Sequence, residues 1–540
     1  MSGRAQSSGR AQSVVRRLIL FVILFALVAV AATGVSGLIE RVIGANSVIV
    51  PNDAGLALSL AFALIAGPLA GLLWWWERRR LIADSAERAS LAWALYVTAM
   101  SLTTLIVATT ALVGSATAGI DGEWRPAELS IGVVWLGVWV WHRHMRRSAA
   151  TAPTRLVEVP IGLGAVYGLA VAASGAITSI AVVISQALLG GSAVIVGAQH
   201  WIIVGLQALV WCAAGTLVWW WHWFRERAKD ATGRFAAVLL VVVVGAAAAT
   251  TLFAIGSALF VALRLLFDTD PAAEVVSDLD VAVAAALIGA IIWVYYARVL
   301  MSRSPRTRRA ARLVVSAIAL IGAASGFGVV VNALLATFAG TLVGEDPRTL
   351  LLGGVSALVV GATAWAIAWR PARAVDAEEA ADPARRVYLV AVFGASAVVA
   401  IVTLLIIGYR LFEFALGAGG SDALVERIRA PLGLLSATAV VFAYHFTIWR
   451  RDRALAPAAA RRQVIGKVIL VSAGDVAALA EAIGAETGAG VTVWPVATGT
   501  PGVVDADAPA VLVLLAAIQA PRVMVIARED GGVRAIPLAD

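Results

Sequence analysis

Trp74-Trp75-Trp76-Glu77-Arg78, Trp139-Val140-Trp141-His142-Arg143 and Trp221-His222-Trp223-Phe224-Arg225 each close an apolar stretch with aromatic residues and an arginine. The ending returns as Tyr295-Tyr296-Ala297-Arg298, as Trp365 to Trp369-Arg370 and as Trp449-Arg450-Arg451, at spacings of roughly 65 to 82 residues. Self-similarity at a near-constant period marks a repeated structural unit. A unit of that length holds two long apolar stretches, so the chain reads as one helical hairpin copied six times.

Composition sets the medium. Apolar residues make up 61% of the 540, charged residues only 14%, and the mean hydropathy is +0.89. Soluble domains carry about 25% charged residues, so the expectation is a polytopic membrane protein with the lipid bilayer as its partner. The net charge of +8 is almost all arginine, with Lys229 and Lys467 the two lysines, and it is spread over short loops. A nucleic-acid binder gathers such charge on one face, so no nucleic-acid partner is expected. The single cysteine, Cys212, excludes an intrachain disulfide and a multi-thiolate metal site.

Covering the hydrocarbon core takes about 20 apolar residues per helix. Twelve stretches qualify: 16–39, 54–77, 88–116, 128–143, 157–189, 199–224, 235–267, 278–300, 311–342, 349–369, 386–416 and 430–449. The first follows Arg4, Arg10, Arg16 and Arg17. At about 20 residues it exceeds the core of a signal peptide, and it reads as a retained helix. The fold class is thus an all-α polytopic membrane protein of about twelve transmembrane helices, arranged as six parallel two-helix repeats (about 16–80, 86–147, 155–226, 232–300, 307–370 and 384–450). A tail (1–15) precedes this membrane domain (16–450). A basic linker (451–462) and a small α/β domain (463–540) follow it.

Arginine asymmetry orients the chain. With the N-terminus cytoplasmic, the tail and the loops after each even helix hold 32 Lys/Arg, against seven on the opposite side (Arg41, Arg125, Arg264, Arg348, Arg410, Arg427 and Arg429). The opposite loops are acidic, with Asp121, Glu123, Asp268, Asp270, Glu274, Asp278, Glu345, Asp346 and Asp422. The positive-inside rule then places both termini in the cytoplasm of a cell bounded by its inner (plasma) membrane. Sixteen of the 19 tryptophans fall in even helices, most at the arginine end. Trp76, Trp141, Trp223, Tyr296, Trp369 and Trp449 are therefore expected as interfacial anchors.

Odd helices are mostly longer and rich in small residues, as in Ala170 to Ser185, Gly245 to Gly256 and Gly322 to Gly328. Small residues let membrane helices approach closely, so the odd helices are expected to pack centrally and the even ones to face lipid. In the last 75 residues or so, strands are expected at 467–472, 490–496, 522–527 and 533–538, with helices at 476–486 and 509–518. Gly474-Asp475 is placed to cap the first of these helices, and Glu529-Asp530-Gly531-Gly532 to turn the last hairpin.

Chemistry is sparse. His142, His144, His200, His222 and His445 offer no i, i+4 ligand pair, and no nucleophile, paired-carboxylate or nucleotide motif is present. No catalytic residue, metal ligand or cofactor is assigned. Ionisable and polar groups near the ends away from the arginine loops are the better lead, because they are costly in a bilayer. Glu40, Arg41, Gln186, Arg264, Asn332, Arg410 and Glu413 form this set; they either line a cavity or bridge repeats.

The odd stretches open with arginine and an early tyrosine and end in leucines or valine with glycine, as in Arg88, Tyr96 and Val113-Gly114, in Arg386, Tyr388 and Gly417, and more loosely in Arg155, Tyr167 and Leu188-Leu189-Gly190. With the Trp–Arg endings, this resembles the bacterial membrane-protein family catalogued as domain of unknown function 5671, which occurs in tandem copies. The resemblance spans about 13–450. The fourth and fifth odd helices lack the early tyrosine, and the fourth even helix ends in Tyr295-Tyr296. The family implies membrane location and no known activity. The expected function is a non-enzymatic scaffold or sensor whose C-terminal domain docks a cytoplasmic protein. The alternative is a transporter or channel for a small or lipid-like solute, with a lipid enzyme third.

Overall fold

The computed structural model describes residues 2–44, 53–189, 200–337, 347–373, 375–417, 424–455, 465–497, 500–518, 520–527 and 532–538. Glu345, Asp346, Asp422, Gly190, residues 456–462 of the linker and the Glu529-Asp530-Gly531 part of the turn lie outside them.

Twelve long helices are described: α1 (Ser2–Ile43), α2 (Asp53–Ala83), α3 (Leu91–Ile120), α4 (Pro126–Arg147), α5 (Val159–Leu189), α6 (His200–Arg225), α7 (Arg234–Phe267), α8 (Leu279–Met301), α9 (Pro305–Ala336), α10 (Pro347–Trp369), α11 (Pro383–Ala415) and α12 (Leu424–Leu455). Eleven are long and apolar enough to cross a membrane, which makes this a multi-pass membrane protein by length and composition. The twelve long helices lie where the twelve apolar stretches were expected, and one of them falls short of that length-and-composition standard. The exception is α4, where Trp135, Trp139 and Trp141, Glu128 near the start and His142-Arg143 near the end dilute the aliphatic residues.

Local chemistry sets the ends. Pro126, Pro305, Pro347 and Pro383 begin helices at the position where a missing N–H costs nothing. Ser90 Oγ accepts from Trp93 N at 3.3 Å to cap α3, and Ser304 Oγ accepts from Thr307 N at 3.3 Å to cap α9. Within α2 a π turn, Phe62–Ala66, stands just before Gly67-Pro68. Proline cannot donate and clashes with the preceding turn, so the helix widens there.

The contacts form two compact units: residues 1–371 with 395–441, and 372–394 with 442–540. In the first, α1 packs on α2, α3 on α4, α5 on α6, α7 on α8 and α9 on α10. Each odd helix also packs on the even helix of the following pair: α1 on α4, α3 on α6, α5 on α8 and α7 on α10. Asn332 of α9 meets Arg429 of α12 in the same way. The odd helices touch in succession, α1 to α3, α5, α7 and α9.

Small residues bring the paired backbones together. A Cβ on Gly215 of α6 would overlap the backbone nitrogen of Ala172 on α5, and one on Gly168 that of Trp219. Likewise, a Cβ on Gly361 of α10 would overlap the backbone nitrogen of Ala323 on α9.

In the second unit, β1 (Lys467–Ser472), α13 (Ala477–Thr487), β2 (Gly490–Pro495), α14 (Ala508–Ala516), β3 (Arg522–Ala527) and β4 (Val533–Leu538) follow in order. The sheet order is β2-β1-β3-β4. β1 is parallel to β2 and β3, and β4 is antiparallel to β3. Val468 and Leu470 of β1, Leu479 and Ile483 of α13, Val511 and Leu515 of α14, and Val523 and Val525 of β3 form its core. The same unit takes in the arginine-rich part of the last helix pair, where Phe393 rings pack on Phe442, Phe446 and Trp449.

Candidate functional site

The most developed polar site is at the arginine-rich ends of α4 and α6. Arg143, Arg146 and Arg147 occupy i, i+3 and i+4 on α4, a spacing that puts them on one helix face. Helix α6 ends in a π turn over Trp221–Arg225, after which Glu226 N donates to Trp221 O at 2.9 Å. The wide turn points Glu226 back at α4. Its carboxylate, 2% exposed, accepts from Arg143 Nε at 2.9 Å and Arg146 Nη2 at 3.1 Å, with Arg147 Nη2 at 3.4 Å. Burial pushes the Glu226 carboxyl up, but the charges of Arg146 and His222 and the hydrogen bonds from Arg143 and Arg146 outweigh it. The group is held below its ordinary 4.5.

The depressed value has a stability consequence. Contributions from such an acid are complete above its unfolded value and are lost as pH falls through the folded one. Glu226→Gln keeps the shape and removes the charge. We expect it to cost about 1.5–3 kcal/mol at pH 7, with the gap to wild type closing below pH 4.5. Thermal denaturation of both proteins across that range in one detergent checks this; a gap that stays constant would rule it out.

Similar acids sit among other arginines. Glu87 accepts from Arg17 Nη2 at 3.0 Å and Arg80 Nη2 at 2.9 Å, and Glu77 from Arg80 Nη1 at 3.2 Å. Sequence reasoning missed Glu77, Glu87 and Glu226 because it counted loop charge and did not pair it. The usable signal was an acid set within a few residues of several arginines, as Glu77 beside Arg78-Arg79-Arg80 and Glu226 between Arg225 and Arg227.

The expected anchors divide. Trp76 is exposed; Trp141 and Trp449 are half-buried against Trp74 and Phe393. Trp223, Tyr296 and Trp369 lie inside, at 3%, 2% and 0% exposure, and the first two join α6 to α8. Trp219 Nε1 donates to Tyr296 Oη at 2.9 Å and Trp223 Nε1 to Tyr295 Oη at 2.7 Å. Both tyrosines are on α8 and both tryptophans on α6. Trp223, Tyr296 and Glu226 also line a cavity of about 240 Å³ with Glu158, Leu239 and Arg303.

The histidines His142, His222 and His445 are buried as well. His142 Nδ1 donates to Val138 O at 2.8 Å, which leaves Nε2 of a neutral ring to accept from Tyr96 Oη at 3.1 Å. Tyr388 packs on His445 with centroids 6.0 Å apart. The early tyrosine of an odd helix and the late histidine of the next even helix are thus partners. Among the described residues no group of three His, Cys, Asp or Glu is placed to hold a metal ion.

At the opposite ends, contacts lie both within one helix end and between helices. Glu40 and Arg41 sit half-buried near the end of α1. Arg264 Nε binds Asp268 at 2.8 Å and Nη2 reaches Asp270; the hydrogen bond from Arg264 is the first cause holding the Asp268 carboxyl below its ordinary value. Arg410 Nη1 binds Glu413 at 3.0 Å, and Arg427 approaches the same carboxylate at 3.6 Å. Asn332 Oδ1 accepts from Arg429 Nη1 at 2.9 Å. Gln186 lines a separate cavity of about 390 Å³ with His200 and Asp280. In the C-terminal domain, Asp475 Oδ1 accepts from Ala477 N at 3.1 Å and Asp505 Oδ1 from Leu479 N at 3.0 Å. Two carboxylates thus occupy the start of α13, where a phosphate would otherwise bind.

These features define a class: a multi-pass helical membrane protein whose paired apolar helices carry aromatic and arginine ends, with a small α/β sheet domain. Within that class, the chain matches the family described as Domain of unknown function (DUF5671) twice, over residues 17–131 and 309–440, as tandem copies of that domain would. The two matches cover α1 to the start of α4, and α9 to the middle of α12. Residues 132–308, which include the Tyr295-Tyr296 ending, fall between them. No curated protein and no solved structure matches the chain.

Proposed function

We propose that this protein is a non-enzymatic membrane scaffold or sensor built from six parallel hairpins. In this reading the arginine-rich ends and both termini face the cytoplasm across the inner membrane, and the C-terminal domain docks a cytoplasmic protein. The observation that carries it is the use of the polar groups opposite the arginine ends. Arg264, Arg410, Glu413, Asn332 and Arg429 are engaged in ion pairs and hydrogen bonds with near neighbours. Groups held in such pairs are accounted for by fastening helix ends and neighbouring helices, with no solute required. The docking face we favour is β2, an outer strand of the sheet, where Val493 is 40% and Trp494 51% exposed.

A transporter or channel is the second reading, favoured by the Gln186, His200 and Asp280 cavity. Reconstituted vesicles separate the two. The scaffold reading expects no solute flux above empty vesicles, with or without residues 463–540. Flux that survives the deletion and is abolished in Arg410→Ala or Glu413→Ala would overturn it.

A further inference from the structure

Between α3, α4 and α6 runs a groove of about 360 Å³ walled by Leu105, Leu112, Leu136 and Leu217, with Trp139 and Trp221 toward its arginine-rich end. Leu136 and Leu217 are 41% and 62% exposed, so the groove opens outward to whatever surrounds the helices. The Arg143 guanidinium lies over the Trp221 ring, 4.9 Å from its centroid. An uninterrupted path therefore leads from an aliphatic wall, past an indole, to a cation.

The charge at that end is not balanced. Three guanidinium groups converge on Glu226, and one carboxylate leaves two positive charges over. Arg147 is 52% exposed and contacts Glu226 at 3.4 Å, so its guanidinium has capacity left for another oxyanion. At the far ends of α3 and α4 the side chains are acidic: Glu123 and Glu128 pair with Arg125, and Asp121 accepts from Gln207. An amphipathic anion thus has one favourable orientation, with its charge at Arg143 and Arg147 and its tail along the leucines.

We infer that this groove and arginine cluster form a seat for one anionic phospholipid, with an acyl chain against Leu112, Leu136 and Leu217 and the phosphate on Arg143 and Arg147. A soluble phosphate would use the arginines and leave the leucines unused. A zwitterionic lipid would use the leucines, but its own ammonium would oppose the cationic end. Basic pockets between membrane helices select anionic headgroups by the same physics. The inference rests on the membrane reading above and adds a ligand class to it.

The test is native mass spectrometry of the purified full chain, with phosphatidylglycerol, phosphatidylcholine or inorganic phosphate added in equal amounts. Wild type is expected to retain one phosphatidylglycerol in preference to phosphatidylcholine, undisplaced by phosphate. Arg147→Gln is expected to weaken that retention about fivefold, the effect of one basic residue beside an anionic headgroup. Leu217→Trp, which fills the groove, is expected to do the same. Both positions are exposed, so both variants should fold. Equal retention of the two lipids, unchanged retention in both variants, or displacement by phosphate would overturn the seat. Orientation is checked separately in Cys212→Ser cells carrying Thr269→Cys or Ser302→Cys. An impermeant maleimide is expected to label the first from outside and not the second; the reverse would sink the membrane orientation without reference to any lipid.

Discussion

Asp452→Ala is expected to destabilise the second unit by about 3–5 kcal/mol, the cost of removing one partner from a buried ion pair. Arg385 and Asp452 are 3% and 5% exposed. Arg385 Nε donates to Asp452 Oδ2 at 2.6 Å and its Nη2 to Oδ1 at 3.3 Å, a two-point contact that suits a planar guanidinium. Its Nη1 also donates to Ala372 O at 2.8 Å, so the same side chain ties the segment after α10 to α11. Without the carboxylate, the buried guanidinium loses its two-point anionic contact with Asp452. The double variant Arg385→Leu/Asp452→Leu should recover part of the loss, because no charge is stranded inside, while the Ala372 carbonyl loses its guanidinium donor and the larger leucine at 452 has to be accommodated. Thermal unfolding of the four members of that cycle decides it. Additive losses in the double variant would show that the two side chains act independently.

Gly215→Leu is expected to produce the largest loss in the first unit, about 3 kcal/mol, at the upper end of overpacking costs. The α5–α6 crossing has no side chain between its backbones at this point. The new Cβ would overlap the nitrogen of Ala172 and lie 2.8 Å from Gly168 O. Backbone cannot rotate aside as a long side chain can, so α5 and α6 must separate, and Gly175 would move off Cys212. Gly205→Leu on the same helix is the control, because a Cβ there meets nothing within 4 Å. Measured in one detergent, Gly215→Leu should unfold well below wild type and Gly205→Leu within a degree or two of it. Equal behaviour would remove close packing as the basis of the pair.

The recurrence of Trp141-His142-Arg143, Trp221-His222-Trp223 and Trp449-Arg450 made the long helices and their spacing legible before any contact was known. The elements of the C-terminal domain were equally legible, because short runs such as Val468 to Val471 and the glycines and prolines between them punctuate it clearly. The placing of Trp223, Tyr296 and Trp369 inside the protein was not. Their composition matches an interfacial belt, and only the neighbouring helix turns the same indole into a hydrogen-bond donor to a tyrosine.

What the sequence by itself determined is which segments are apolar, how long they are and which ends carry arginine. Each of those properties is a transaction between a residue and its solvent, and it adds up along the chain without reference to any other segment. Only the tertiary structure decided that Glu226 would meet Arg146 from 80 residues away, that Tyr96 would find His142, and that each odd helix would lie on the even helix of the next pair. Those outcomes depend on the rotation of each helix about its axis and on its register against a neighbour. Close approach of small residues such as Gly168 and Gly215 sets both, and hydropathy is nearly silent about either.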